Sequence, residues 1–254
     1  MSIDFLPLLI SAISCAIVIR LITPFAININ LVDVPNYRKR HIGSVPLIGG
    51  ISMFIAIIVG LLTAQIDINQ QKNLLLAMMI VVGVGVLDDH RELSTKSRIL
   101  MHVIAAFVIV VLDDVVLNSL GWIFGPDEFK LYTWAIFFTV FSIIGVMNAI
   151  NMSDGIDGLS GSLSLITLLF ISYFSYISGQ IDYLMIALII CSPLIVFLLF
   201  NLGVFGSSKK IFMGDAGTTL LGFIIAVLLI VLSQGPDAAF SPVTALWLLA
   251  IPLI

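Results

Sequence analysis

Three short stretches concentrate the side chains that can do chemistry. Residues 86–92 (VLDDHRE) carry an adjacent acid pair, Asp88 and Asp89. Residues 148–158 (NAINMSDGIDG) place Asn148, Asn151, Asp154 and Asp157 three apart. On a helix or 3₁₀ turn that spacing sets them along roughly one face. Gly155 and Gly158 loosen the helix there and let the backbone approach a ligand closely. Residues 209–217 (KKIFMGDAG) put Phe212 three residues before Asp215, between a lysine pair and two glycines. Carboxylates gathered at one place repel unless a cation or a positive substrate offsets them. Hard oxygen donors of this kind suit Mg²⁺, with Mn²⁺ as an alternative, held by one or two carboxylates plus phosphate. An aromatic beside a metal-binding acid is a stacking platform for a base.

Each stretch also has a plainer reading. Asp157 alone could be the N-cap of the next helix, and Asp88-Asp89 a solvated helix end. Phe212 to Asp215 could be an amphipathic cap. Residues 38–41 (RKRH) with Gly43, Pro46, Gly49 and Gly50 read either as a topology signal on anionic headgroups or as a phosphate clamp of Lys39, Arg40 and His41. Lys209-Lys210 could help hold a diphosphate or merely flank a span. His102, inside an apolar run, reads first as an interhelical histidine with its hydrogen bonds satisfied.

These residues must be positioned by membrane helices. Of the 254 residues, 60% are hydrophobic and 10% charged, and mean hydropathy is +1.20. That excludes a soluble globular domain and a disordered chain, and the net charge of −4 offers no footprint for nucleic acid. The apolar runs are continuous, not alternating, which excludes a β-barrel. Cys15 and Cys191 sit in apolar runs and read as small buried hydrophobes. The fold class is an all-α polytopic bundle. Spans are expected at Phe5–Ile22, Leu47–Ala64, Asn73–Leu87, Ile99–Leu112, Leu131–Ile150, Leu159–Ile177, Tyr183–Phe200 and Thr218–Leu232, the third and fourth extending into their flanks. A ninth begins near Val243 and meets the chain end at Ile254, so the 254 residues read as a single membrane domain cut short at its C-terminus. The first span lacks a basic start and a cleavage site and is not a signal peptide.

Lys and Arg set the orientation. With the N-terminus outside, the inner segments hold Arg20, Arg38, Lys39, Arg40, Arg91, Lys96, Arg98, Lys209 and Lys210, and the outer ones only Lys72 and Lys130. All three acidic stretches then arrive at the inner face. Asp113-Asp114, a second acid pair at a span end, falls outside and is assigned no chemistry.

Taken together, 34–41 (VPNYRKRH) with 46–50 (PLIGG), 85–89 (GVLDD), 148–158 and 212–215 (FMGD) resemble the polyprenyl-phosphate N-acetylhexosamine-1-phosphate transferase superfamily, and within it the bacterial WecA-like branch. The motifs fall in the family's order over most of the chain. The resemblance implies that Asp88 and Asp89 match the family's aspartate pair. It places Asn151, Asp154 and Asp157 in the loop that binds nucleotide sugar and metal. It makes Asp215 the Mg²⁺ ligand, with Asn151 beside it, and Phe212 the residue stacked on uracil. The basic stretch at 38–41 looks like the segment near the diphosphate. The implied reaction transfers N-acetylhexosamine-1-phosphate, the N-acetylglucosamine form first, from its UDP donor to undecaprenyl phosphate, releasing UMP. The implied setting is the cytosolic side of a bacterial inner membrane, with the bilayer as partner and a homodimer as a candidate assembly. In such a reaction Asp88 or Asp89 would bind or deprotonate the lipid phosphate, placement ranking above proton abstraction. The family's His-rich loop and a diphosphate-holding basic residue fall beyond Ile254, so this form is expected to lack part of the machinery. The competing readings are a transporter, which would place its acids near the midplane, and an inactive relative serving as a scaffold.

Overall fold

A chain this apolar satisfies its backbone in lipid only by coiling into helices. The computed structural model describes residues 4–34, 43–64, 66, 68–123 and 126–253. They form α1 (Leu6–Asn28), α2 (Gly49–Thr63), α3 (Ile68–Arg91), α4 (Thr95–Leu112), α5 (Ala135–Met152), α6 (Leu159–Ile177), α7 (Ile181–Asn201), α8 (Gly214–Ser233), and the short α9 (Pro242–Leu248) and α10 (Ala250–Leu253). Among the described residues seven helices are long and apolar enough to cross a membrane, and α2 is shorter. The protein is a polytopic membrane helical bundle. The expected runs all fall on helices. The third and fourth do extend, to Ile68–Arg91 and Thr95–Leu112. The ninth is broken at Leu249, because Pro252 has no N–H to donate to the carbonyl of Leu248. The Thr167 hydroxyl donates to that carbonyl at 3.1 Å instead.

Helix α8 is the axis of the bundle. It is apolar on every side, buried along almost its whole length, and packed by α2, α3, α5 and α6. Small residues let its neighbours come close. A Cβ on Gly85 would lie 2.3 Å from Ala216 Cα, and one on Gly50 would lie 2.2 Å from the Gly217 nitrogen. The start of α8 is thereby pressed against both α3 and α2.

Successive helices run in alternate directions. The Asn73 amide donates to Asp113 at 2.6 Å at one end of the α3–α4 pair, and Arg98 meets Asp88 at the other. At the first end Gln234, just past α8, accepts from the Asn118 and Ser119 amides at 3.0 Å each. At the opposite end β1 (Val32–Asp33) pairs with β2 (Val45–Pro46), and Leu47 bridges in parallel to Phe212. That second end collects the acidic stretches.

Candidate functional site

The α3–α4 corner is built by Asp88. Its Oδ1 accepts from the Leu93 amide at 2.7 Å, which closes the turn after α3, and Ser94 then caps α4 through the Ser97 amide at 3.2 Å. The tight turn brings Arg98, in the first coils of α4, back over the end of α3. Arg98 Nη1 donates to Asp88 Oδ2 at 2.9 Å and lies 3.8 Å from Asp215 Oδ2. Asp88 is only 5% exposed and both its oxygens are taken.

Asp89 faces the other way. Its carboxylate accepts from the backbone amides of Asp215 at 2.7 Å and Ala216 at 3.2 Å. It therefore caps the N-terminus of α8 from another helix, satisfying two of the donors every helix start leaves open. Gly214 makes room for this. Its φ is +71°, and a Cβ there would sit 2.5 Å from Asp89 Oδ2.

Asn151, in the last turn of α5, donates through Nδ2 to Asp215 Oδ1 at 2.6 Å and to the Thr218 hydroxyl at 2.8 Å. Asp215 is thus held on one oxygen by Asn151 and faces Arg98 with the other, and it stays 33% exposed. The even spacing did not carry all four residues to one face. Helix α5 ends at Met152, and Asn148 turns back to bond the carbonyl of Ile144 at 2.8 Å. Asp154 and Asp157 stand in the turn between α5 and α6, where backbone direction, not helical period, sets their aim.

Asp154 Oδ1 accepts from the Ser160 hydroxyl at 2.8 Å. Enclosure by surrounding protein raises its pKa above the ordinary carboxylate value; the Ser160 bond opposes this, and the charges of Asp215 and Asp157 add to it. Asp157 is not a helix cap. Gly158 occupies that position with φ +74°, and Asp157 pairs with Lys210. The Lys210 ammonium also stands 5.3 Å from the centre of the Phe212 ring. Asn201, buried at the end of α7, joins the two loops: it accepts from the Gly158 amide at 2.7 Å and donates to the Ile211 carbonyl at 2.9 Å.

The described structure therefore brings together Asp88, Asp89, Asn151, Asp154, Asp157, Phe212 and Asp215. Lys39, Arg40 and His41 lie outside the described residues. Arg98, Ser160 and Asn201 join the site without a motif of their own: in the sequence Arg98 is a topology charge, and no local pattern marks the other two. His102 departs from expectation as well: it is 1% exposed, yet neither ring nitrogen has a hydrogen-bond partner among the described residues. Asp113 accepts from Asn73 at the far end, away from every group above.

Among the described residues no three His, Cys, Asp or Glu side chains converge on one metal position. The donor set still fits a hard cation that takes one or two carboxylates and completes its shell with phosphate and water, since Asp215 and Asp154 both keep exposed surface.

The family model described as glycosyl transferase family 4 matches residues 72–233, well over half of the chain. The chain is 39% identical over 229 residues to the undecaprenyl-phosphate alpha-N-acetylglucosaminyl 1-phosphate transferase of Salmonella typhi, covering 90% of this chain and 62% of the relative. It is 40% identical to the protein of that name from Haemophilus influenzae, covering 91% and 65%, and 38% identical to that of Escherichia coli K12, covering 89% and 62%. The chain thus spans somewhat less than two thirds of the length of these relatives.

Proposed function

The chain belongs to glycosyl transferase family 4, and we propose that the protein it represents transfers N-acetylglucosamine-1-phosphate from UDP-N-acetylglucosamine to undecaprenyl phosphate, releasing UMP. The observation that carries this reading is the meeting of Asp89, Asn151 and Asp215 at the start of α8, at the same end as Asp154, Asp157 and Phe212, in a chain matching transferases of that name. The nine-to-two split of Lys and Arg supports a cytosolic site, and the bacterial sources of the relatives support a bacterial inner-membrane location.

An oxygen of the lipid phosphate attacks the β-phosphorus of the donor, the bridging P–O bond breaks, and UMP leaves with that oxygen. A lipid phosphate has a second pKa of about 6, so it is largely ionised at neutral pH and needs no strong base. Such chemistry is mainly placement and charge neutralisation. Asp215, with Asp154 and the Asn151 carbonyl oxygen nearby, would hold Mg²⁺ or Mn²⁺, which supplies positive charge to the diphosphate when bound. Phe212 offers a face for uracil, a stack of about 1–3 kcal/mol, and Lys210 adds positive charge beside it. Asp88 and Asp89 act as positioning residues: one aims Arg98, the other fixes the backbone of Asp215. The lipid tail stays in hydrocarbon while its phosphate reaches the ends of α3, α5 and α8.

The test is incorporation of radiolabelled N-acetylglucosamine-1-phosphate into undecaprenyl phosphate by membranes carrying the full-length protein, with UMP measured in parallel. Equimolar labelled lipid and UMP are expected. Labelled sugar taken up by sealed vesicles without UMP release would overturn the reading in favour of transport.

A further inference from the structure

Two cations touch the carboxylates of the described site, Lys210 and Arg98. Lys210 is committed to Asp157 and to the ring of Phe212. Arg98 is differently placed. Of its five N–H groups, one is used: Nη1 donates to Asp88 Oδ2, and no other hydrogen bond from the guanidinium is made among the described residues. Its partner cannot turn away to meet a substrate, because Asp88 is buried and holds the Leu93 amide with its other oxygen. Arg98 is 26% exposed, so its remaining donors are reachable. They lie beside Asp215, whose Oδ2 is 3.8 Å from Nη1. The helix that carries Arg98 is also open to lipid beside it: Ile99, Leu100 and Ile104 are exposed. A planar fork, fixed on one edge and open on the other, is matched to two oxygens of a phosphate.

We propose that Arg98 is a binding residue for a substrate phosphate group, held in aim by Asp88, and that the phosphate is the lipid monoester arriving along the exposed face of α4. This rests on the transferase reading above. It assigns the phosphate contact to the guanidinium and gives the neighbouring acid a positioning role. The nucleotide diphosphate presents the same chemistry, and the experiment separates the two.

Arg98→Lys, Arg98→Gln and Asp88→Asn are compared in the full-length protein in detergent micelles. Lysine keeps the charge and the ion pair with Asp88 but loses the fork. Arg98→Lys is therefore expected to leave the melting temperature close to the parent while raising KM for undecaprenyl phosphate about tenfold, the scale of one charge-assisted hydrogen bond. Arg98→Gln should raise it further, and Asp88→Asn should move KM in the same direction. A rise confined to the KM of the UDP-sugar would keep the phosphate contact and assign it to the diphosphate. A fall in kcat or in melting temperature with both KM values unchanged would overturn the proposal, since a merely structural arginine does that. Calorimetric titration of undecaprenyl phosphate, and separately of UDP, onto parent and Arg98→Lys protein gives a readout independent of turnover. If the parent transfers nothing yet binds the lipid phosphate more tightly than Arg98→Lys does, the transferase reading fails and the Arg98 assignment stands. Equal affinity for both ligands in parent and variant would sink the assignment.

Discussion

The carboxylate of Asp89 caps the helix that begins with Asp215, 126 positions later in the chain, through the Asp215 amide at 2.7 Å. One acid thereby sets where another acid stands. Asp89→Ala opens two amides at the start of α8 and should cost about 0.5–2 kcal/mol, the usual range for a lost cap. Asp89→Asn keeps an accepting oxygen and should cost less. Gly214→Ala forces a methyl group against Asp89 Oδ2 at a φ of +71° and should resemble Asp89→Ala in stability and in lost transfer. Thermal unfolding in detergent, read beside transfer rates, checks the order; an Asp89→Ala protein as stable as the parent would remove the cap from the account.

The two acid pairs stand at opposite ends of the α3–α4 hairpin. Fifteen residues of α3 separate Asn73, which binds Asp113, from Asp88, or about 22 Å at the helical rise of roughly 1.5 Å per residue. Double replacement of Asp88 and Asp89 by Asn should abolish most transfer. The same change at Asp113 and Asp114 should leave it near normal, with a small loss of expression from the weakened Asn73 contact. Equal losses at equal membrane levels would refute the site assignment.

Asp215 is the partly exposed acid that Asn151 and Arg98 aim. Asp215→Asn retains the shape and removes the charge. Turnover is expected to fall by at least about 10²-fold, as for loss of one electrostatic stabiliser. Near-normal turnover with an unchanged Mg²⁺ dependence would show that the cation is held elsewhere.

Asp154 carries a pH signature. Its raised pKa means that the folded protein holds that proton more tightly than the unfolded chain does. The linked stability is fully present below the ordinary aspartate value of about 4 and is lost as pH rises through the raised value. The cost of holding this carboxyl in the folded protein therefore grows as pH rises above that range. Asp154→Asn should melt higher than the parent at pH 7–8 in the presence of a chelator, and the gain should shrink as pH is lowered toward about 4. Transfer should fall in the same variant. A melting difference that is flat across pH would be inconsistent with a raised pKa at this position.

Sidedness can be read at Ser94, which is exposed in the turn between α3 and α4. Cys15 and Cys191 are buried. In a background lacking both, Ser94→Cys should react with an impermeant thiol reagent in inverted vesicles and stay unlabelled in intact cells. Labelling from outside would reverse the proposed orientation and put the site on the wrong face for a UDP-sugar.

Much was legible in the residues themselves. Continuous apolar runs dictate helices, because lipid offers the backbone no partner, and the runs read from the sequence fall on α1 to α9. Alternation of those runs also determined which acids share an end, since each span reverses direction. Local chemistry therefore singled out Asp88, Asp89, Asn151, Asp154, Asp157, Phe212 and Asp215. What the linear chain could not reveal was the job of each acid. Asp88 and Asp89 are adjacent and alike, yet helical rotation of about 100° between neighbours turns one toward α4 and the other toward α8. Arg98 became part of the site only through the Asp88 turn, and Asn201 only through the approach of two loops 43 and 10 positions away. Asn148 shares the spacing of Asn151, but its amide donates to the Ile144 carbonyl one turn back in the same helix and so does not join the Asp215 cluster. Pattern and polarity are properties of a few neighbouring residues, so the sequence alone carries them. Which carboxylate oxygen is already satisfied depends on partners from distant segments, and only the packed bundle decides that.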